Sequence, residues 1–121
     1  MEKPYKYYYR PAYGAYGSEE LLLEFYQGVE NGTFYSDLFE TISELNPKVE
    51  SIEDLWMNDE VLLNVNSDIG SFILSKDIWD FAFIMAEKNQ KCLEKINMIL
   101  LISDLFEKVE VDFEAYKKKT Q

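Results

Sequence analysis

The sequence predicts an α+β fold: a single, mostly helical domain with a β-hairpin at about residues 60–76 packed against the helices. The chain has 121 residues, a common size for one domain. It is 47% hydrophobic and 16% aromatic, which is too apolar for a disordered acidic segment. Apolar residues recur at helical spacing over most of the chain and alternate only around the hairpin. Residues 1–121 are therefore treated as one domain.

The chain begins with a tyrosine-rich stretch, residues 1–17, which is interpreted as an extended arm packed on the domain. Pro11, Gly14 and Gly17 interrupt it. Half-buried positions suit tyrosine, because the ring is apolar while the hydroxyl needs a partner. Six tyrosines fall in this arm: Tyr5, Tyr7, Tyr8, Tyr9, Tyr13 and Tyr16.

Two helices are predicted next. Ser18 is a suitable N-cap for the first, and Gly32 ends it. The second runs from about Ser36 to Asn46, where Pro47 stops it. The apolar residues that carry the helical spacing are Leu21, Leu22, Phe25, Tyr26 and Val29 in the first and Leu38, Phe39, Ile42 and Leu45 in the second.

The pattern changes to strict alternation after residue 60. Val61, Leu63 and Val65 alternate with less apolar neighbours, residues 67–70 are rich in turn formers, and residues 71–75 resume the alternation. This predicts the hairpin. An isolated hairpin is marginally stable, so a further strand from residues 3–9 or 109–113 could join it.

A long helix is predicted from residues 75–77 onwards. Residues 78–86 are apolar on nearly all sides, and residues 88–91 are polar. The pattern leaves open whether residues 78–102 form one helix or two. Cys92 lies on an apolar helix face and is expected in the core. The last five residues, 117–121, form a basic tail that is expected to fray.

The acidic charge is concentrated in one part of the chain. The formal net charge is -11, and residues 18–60 hold twelve acids against one base, Lys48. Such a field attracts a basic partner and repels nucleic acid and anionic membranes. A simpler alternative is that these acids are the solvated faces of two helices.

The composition argues against an enzyme. There is no histidine, so Ser-His and Cys-His nucleophile pairs are excluded, as is a histidine-dependent zinc site. No glycine spacing matches a phosphate-binding loop. Neighbouring carboxylates arise by chance when 23 acids occur in 121 residues. We therefore expect no catalytic residues, no cofactor and no metal.

The same composition indicates a cytoplasmic location. The first residues lack the apolar core of a signal peptide, and the longest aliphatic run, 98–102, is far shorter than a membrane span. One cysteine allows no internal disulfide, which fits a reducing compartment.

The expected binding surface combines the acidic run with aromatic anchors, because interfaces favour Tyr and Trp surrounded by charge. Trp79, in contrast, is expected in the core. The predicted partner-binding residues are Tyr35, Glu40, Glu44, Glu50, Glu53, Asp54, Trp56, Asp59 and Glu60.

Residues 70–84, with 87–90 and with Trp56 and 59–62 before them, resemble immunity proteins of bacterial contact-dependent growth inhibition systems. The resemblance covers about residues 55–113. It implies a cytoplasmic antidote that occludes the active site of a cognate toxin domain. Such toxins are often nucleases with basic substrate clefts, in agreement with the charge. It carries over no catalytic residue and leaves the toxin's activity and the oligomeric state open.

Two other functions fit the sequence. One is an acidic nucleic-acid mimic that inhibits a defence nuclease. It should present carboxylates at phosphate-like spacing along an elongated surface. The other is an adaptor subunit of a larger complex, with the tyrosine-rich arm as its docking element.

Overall fold

The computed structural model describes residues 3–11, 21–86 and 88–110. Within these ranges the chain forms seven strands, two α-helices and two short 3₁₀ turns. The strands are β1 Tyr5–Pro11, β2 Leu21–Gln27, β3 Lys48–Leu55, β4 Glu60–Ser67, β5 Gly70–Asp77, β6 Ala82–Met85 and β7 Phe106–Lys108, and the helices are α1 Phe34–Thr41 and α2 Gln90–Leu101. The 3₁₀ turns are Ser43–Leu45 and Trp56–Asn58.

The seven strands form one sheet in the order β3-β4-β5-β6-β2-β1-β7. Neighbouring strands are antiparallel, except that β7 runs parallel to β1. The connections β2-α1-β3 and β6-α2-β7 each join two parallel strands that are not neighbours. Each crossover carries a helix, as parallel connections usually do.

The core lies between one face of the sheet and the two helices. Residues that face one another across paired strands lie on the same side of a sheet. Tyr7, Phe25 and Ala82 form one such row, and all three are buried. They belong to the same apolar cluster as Leu38 of α1 and Ile96 of α2. Both helices therefore cover this face, which we call the helix side.

The prediction of a mostly helical domain is wrong. Strands account for 46% of the described residues and helices for 26%. Residues 21–27, predicted to be helical, form β2, which lies between β1 and β6. Residues 82–85 form β6 instead of continuing a helix. Leu23, Phe25 and Ile84 are fully buried in the sheet, and these cross-strand contacts outweigh local helical spacing.

Other predicted elements are present. The hairpin at residues 60–76 is confirmed, since β4 and β5 pair along their whole length from Glu60↔Asp77 to Ser67↔Gly70. A helix close to the second predicted one occurs as α1 and the following 3₁₀ turn. Residues 78–102 are neither one helix nor two, because they comprise a turn, β6 and α2.

The described part of the tyrosine-rich arm forms strand β1 and belongs to the sheet. Tyr5 and Tyr7 of β1 are fully buried and not half-buried as expected. The Tyr5 hydroxyl donates to Asp37 Oδ2, and the Tyr7 hydroxyl donates to Asn97 Oδ1 at 2.8 Å. Tyr13, Tyr16 and the basic tail 117–121 lie outside the described residues.

Candidate functional site

A pocket of about 700 Å³ lies where β3 and β5 end and β4 begins, beside the start of α1. Asp54, Val61 and Lys76 face one another across the three strands. Lys76 in turn faces Ala82, one of the buried residues that define the helix side of the sheet. The whole row therefore lies on the helix side. The residues that line the pocket are Tyr35, Asp54, Trp56, Asp59, Glu60, Val61, Lys76, Asp77, Ile78 and Asp80.

Two adjacent turns form the outer wall of the pocket. The first is the 3₁₀ turn Trp56–Asn58, which Asp59 ends in the left-handed conformation (φ 54°). The second joins β5 to β6 and contains Asp80, also left-handed (φ 64°). Asp is among the residues that tolerate this conformation best. The Ile78 N–H donates to the Asp59 carbonyl oxygen at 3.1 Å, which ties the two turns together.

Asp77 fixes the shape of the second turn. Its Oδ1 accepts hydrogen bonds from the backbone N–H of Trp79 at 2.9 Å and of Phe81 at 3.1 Å. Its own N–H donates to the Phe81 carbonyl oxygen at 3.0 Å. Aspartates whose carboxylates accept hydrogen bonds from the backbone N–H groups of residues that follow them are common in turns. This carboxylate therefore holds the turn as well as contributing charge to the pocket.

Large apolar side chains project from both turns into solvent. Trp56 is 74% exposed and Trp79 is 62% exposed. Met57 and Ile78, their neighbours in the chain, are also mostly exposed. Large exposed apolar groups bordered by charge are typical of protein interaction sites.

The carboxylates of the pocket are not neutralised by ion pairs. Within the described part of the chain, the salt bridges are Arg10–Glu24 and Lys108–Glu110, neither of which reaches the pocket. Lys76 is the one cation among the lining residues, and its Nζ lies 5.5 Å from the centroid of the Tyr35 ring. Burial raises the pKa of the Tyr35 hydroxyl. The Tyr35 ring thus already packs against a cation, Lys76, while the carboxylates of the pocket outnumber its one lysine and leave an excess of negative charge.

The structure gathers five of the nine predicted binding residues: Tyr35, Asp54, Trp56, Asp59 and Glu60 all line the pocket. The other four do not. Glu40 and Glu44 are exposed on α1 and the 3₁₀ turn that follows it, and Glu50 and Glu53 are exposed along β3. The acidic run of the sequence is therefore divided among several surfaces.

Sequence reasoning missed the contribution of the β5–β6 turn, which supplies Asp77, Ile78 and Asp80. The expectation that Trp79 is a core residue is also wrong. Both errors come from assigning residues 77–81 to a helix. The signal that could have revealed the turn is the pair Asp77 and Asp80, spaced as turn formers between two alternating segments.

The described residues bear on two expectations, that of no metal site and that of a buried Cys92. No group of three or more Asp, Glu, His or Cys side chains within them is placed to hold a metal ion. Cys92 is fully buried in α2, and burial raises the pKa of its thiol.

No family model, curated protein or solved structure matches the chain. Among the described residues, neither α-helix has the length and apolar character needed to cross a membrane.

Proposed function

We propose that this protein binds a basic protein partner through the pocket, and that it acts as an immunity protein which neutralises a toxin domain by covering its active site. The partner is expected to insert basic side chains among the carboxylates and to pack apolar groups on Trp56 and Trp79. In this proposal the protein works in the cytoplasm, without a cofactor, and binds neither nucleic acid nor membrane.

The observation that carries the proposal is the combination of unpaired carboxylates with the exposed Trp56 in one pocket, beside a turn that exposes Trp79. Asp54, Glu60 and Asp80 form no ion pair with any described residue. Crowding like charges beside exposed apolar groups does not stabilise a free monomer. Both features become favourable once a basic surface covers them.

The chemistry of the partner follows from the charge. A net charge of -11 attracts a basic protein over a distance of about a Debye length, roughly 8 Å at physiological salt. Such steering raises association rates by about ten- to a thousandfold. Toxins that cleave nucleic acid need a basic cleft to bind phosphates. A nuclease-type toxin would therefore present the basic surface that this acidic protein attracts. This charge argument agrees with the resemblance to immunity proteins.

The direct test is co-expression with the polypeptide encoded immediately upstream, together with capture of partners from a lysate of the native host. We expect a tight complex whose association rate falls as salt rises, and restored growth of cells that express the toxin. A complex with a host nuclease would instead support the nucleic-acid mimic. Capture of a multi-subunit assembly would support the adaptor.

A pair of matched charge reversals tests the pocket itself. Asp54→Lys with Glu60→Lys, and Glu40→Lys with Glu44→Lys, change the net charge equally, but only the first pair lines the pocket. We expect the first pair to slow association by about tenfold or more, and the second by about threefold or less. Association kinetics at fixed salt measure both.

The dissociation rate distinguishes residues that contact the partner from residues that only attract it electrostatically. Trp56→Ala removes an exposed aromatic anchor without changing charge, so it should speed dissociation and leave association nearly unchanged. Equal slowing by the two charge reversals, with no effect of Trp56→Ala, would show that the pocket is not the contact surface.

A further inference from the structure

We propose that the free edge of β3 is a second contact surface, which takes an extended basic segment of the partner as an additional strand of the sheet. This inference rests on the proposed function in one respect, namely that the partner is basic. It differs from the pocket in using backbone hydrogen bonds, the recognition mode known as strand addition.

The edge is long and uncovered. Among the residues that the structure describes, β3 is the last strand on its side of the sheet, and its eight residues pair with β4 alone. Seven of the eight are exposed. The opposite edge strand, β7, has three residues. An exposed edge strand presents unpaired N–H and C=O groups that can template another strand.

The register shows which backbone groups point outward. The Asp77 N–H donates to Phe81, towards β6. Backbone groups of successive residues point to opposite sides of a strand, so those of Lys76 point to β4. Lys76 pairs with Val61, whose groups therefore point to β5.

The same alternation continues into β3. The backbone groups of Leu62 and Asn64 point towards β3, where they pair with Glu53 and Ser51. Ile52 and Asp54, which lie next to those residues in β3, therefore direct their N–H and C=O groups away from the sheet. These two residues offer four hydrogen-bonding groups in the spacing that an added strand requires.

The side chain of Ile52 supports an added strand. It faces Leu63 and shares the helix side with the buried Leu74, yet Ile52 is 65% exposed because it stands at the edge. A strand beside β3 would cover it with an apolar side chain. A bulge between Val49 and Ser51 interrupts the ladder, so the usable edge is Ser51 to Leu55.

The charge of this edge selects a basic occupant. Glu53 and Asp54 are exposed on opposite sides of the strand, and Asp54 also lines the pocket. A basic side chain directly opposite either of them would be favourable, whereas like charges at these positions are destabilising. A second copy of this chain would bring a further net charge of -11. The edge thus continues the acidic surface of the pocket.

The test uses amide hydrogen exchange measured by NMR. The probe is a capped seven-residue peptide, Arg-Arg-Val-Arg-Arg-Val-Arg, with a glutamate analogue as control. In the free protein, the amides of Ser51 and Glu53 should be protected and those of Ile52 and Asp54 should exchange fast. The arginine peptide should slow exchange at Ile52 and Asp54 by about tenfold or more, and the glutamate peptide should not.

A matched pair of variants separates the contribution of the Ile52 backbone N–H to peptide affinity from the contribution of its side chain. Ile52→Pro removes the outward N–H without removing a hydrogen bond to β4, and proline is tolerated on edge strands. Ile52→Ala keeps the N–H and loses only the side chain. Affinity for the peptide should fall by about tenfold or more in Ile52→Pro and less in Ile52→Ala. Thermal unfolding of both variants, and the fast exchange of Asp54, check that the sheet persists.

Each outcome supports or overturns the inference. Peptide bound without protection of Ile52 and Asp54, or equal binding by both variants, would overturn strand addition. A dimer of the protein that Ile52→Pro abolishes would show that the occupant is a second copy. Loss of toxin binding in the pocket variants, with Ile52 and Asp54 still exchanging fast in the wild-type toxin complex, would leave the proposed function standing and reject the edge.

Discussion

Two tyrosines show how single polar atoms are accommodated in this core. Tyr5 and Tyr7 point from β1 into the apolar layer and are fully buried. Tyr5 stacks on Phe106 with ring centroids 4.9 Å apart. Asn97, a buried polar residue of α2, accepts the Tyr7 hydroxyl at 2.8 Å. A buried hydroxyl without such a partner would be costly, so Tyr7 and Asn97 depend on each other.

We expect Tyr7→Phe to lower the free energy of unfolding by about 1–3 kcal/mol, because it leaves the buried Asn97 oxygen without its donor. Tyr9→Phe is the matched control, since Tyr9 lies on the same strand and the same side but is only half-buried. It should change stability by no more than about 0.5 kcal/mol. Urea unfolding measures both, and equal losses would contradict this account.

At the residue scale, the structure brings together those predicted binding residues that are close together in the chain. Trp56 was expected to be exposed near Asp59 and Glu60, and all three line the pocket. Trp79 was misjudged because its exposure depends on a turn held by Asp77 and Asp80. Exposure of a large apolar residue depends on which elements lie beside it, and one sequence does not contain that information directly.

At the scale of elements, Gln90 at the start of α2 forms hydrogen bonds with the first residue of β2 that a neighbouring strand would otherwise form. The Gln90 side chain accepts the Leu21 N–H at 2.8 Å and donates to the Leu21 carbonyl oxygen at 3.2 Å. It also donates to the Ala86 carbonyl oxygen at 3.1 Å. β6 pairs with Leu23 to Phe25 of β2 and does not extend to Leu21. A carboxamide offers one acceptor and two donors, so it can pair with both backbone groups of Leu21.

Gln90→Ala should therefore release the first turn of α2 from β2. We expect faster amide exchange at Leu21, while the exchange of Phe25 in the middle of β2 remains slow. The free energy of unfolding should fall by about 1–2 kcal/mol, in keeping with the loss of these bonds. Gln90→Glu is the control, because it keeps an acceptor for Leu21 but no donor. Unchanged exchange at Leu21 in Gln90→Ala would show that the contact is not structural.

The elements that the sequence predicted correctly are those whose local pattern matches one structure only. The alternation in β4 and β5 with a turn between them fits a hairpin and nothing else. Residues 21–27 have apolar residues that suit both a helix and a strand with two buried faces, and pairing with β1 and β6 decides between them. The apolar run 78–86 gave the same ambiguity. The fold class could not be inferred without the long-range pairing.

The part played by β1 also changes how the arm can be tested. If the arm only packed on the domain, deletion of residues 1–17 would abolish the function of an adaptor and merely destabilise an antidote. β1 lies between β2 and β7 and contributes Tyr5 and Tyr7 to the core. The deletion would remove a strand from the sheet, so loss of function would report unfolding in either case.

At the scale of the whole molecule, the tyrosines make stability sensitive to alkaline pH. The pKa values of Tyr5, Tyr7, Tyr9, Tyr26 and Tyr35 are all raised, and burial is the largest cause at each. A raised pKa means that the folded state holds its proton more tightly than the unfolded state. The stabilisation is thus complete below the unfolded pKa of about 10 and is lost as the pH rises beyond it.

We expect the free energy of unfolding to begin to fall above about pH 8.5, where the thiol of Cys92 ionises in the unfolded state, and to fall more steeply above about pH 10, where the tyrosines follow. Urea unfolding at each pH measures it, and phenolate absorbance should show late ionisation of several tyrosines. The variant Tyr35→Phe removes one of these groups away from the centre of the core, so its decline should be shallower. A parallel decline in the variant and the wild type would assign the loss to other groups, such as the lysines.

The parallel pairing of β7 with β1 has a consequence for how the protein is made. Tyr5 lies opposite Phe106, about a hundred positions later in the chain, and Lys3 Nζ binds the carbonyl oxygens of Ser103 and Phe106. A nascent chain on the ribosome holds β1 long before β7 emerges. β1 therefore cannot gain its parallel neighbour until residue 108 has been synthesised, and contacts so distant in sequence form slowly. During translation, β1 leaves the ribosome about a hundred residues before the strand beside which it comes to lie.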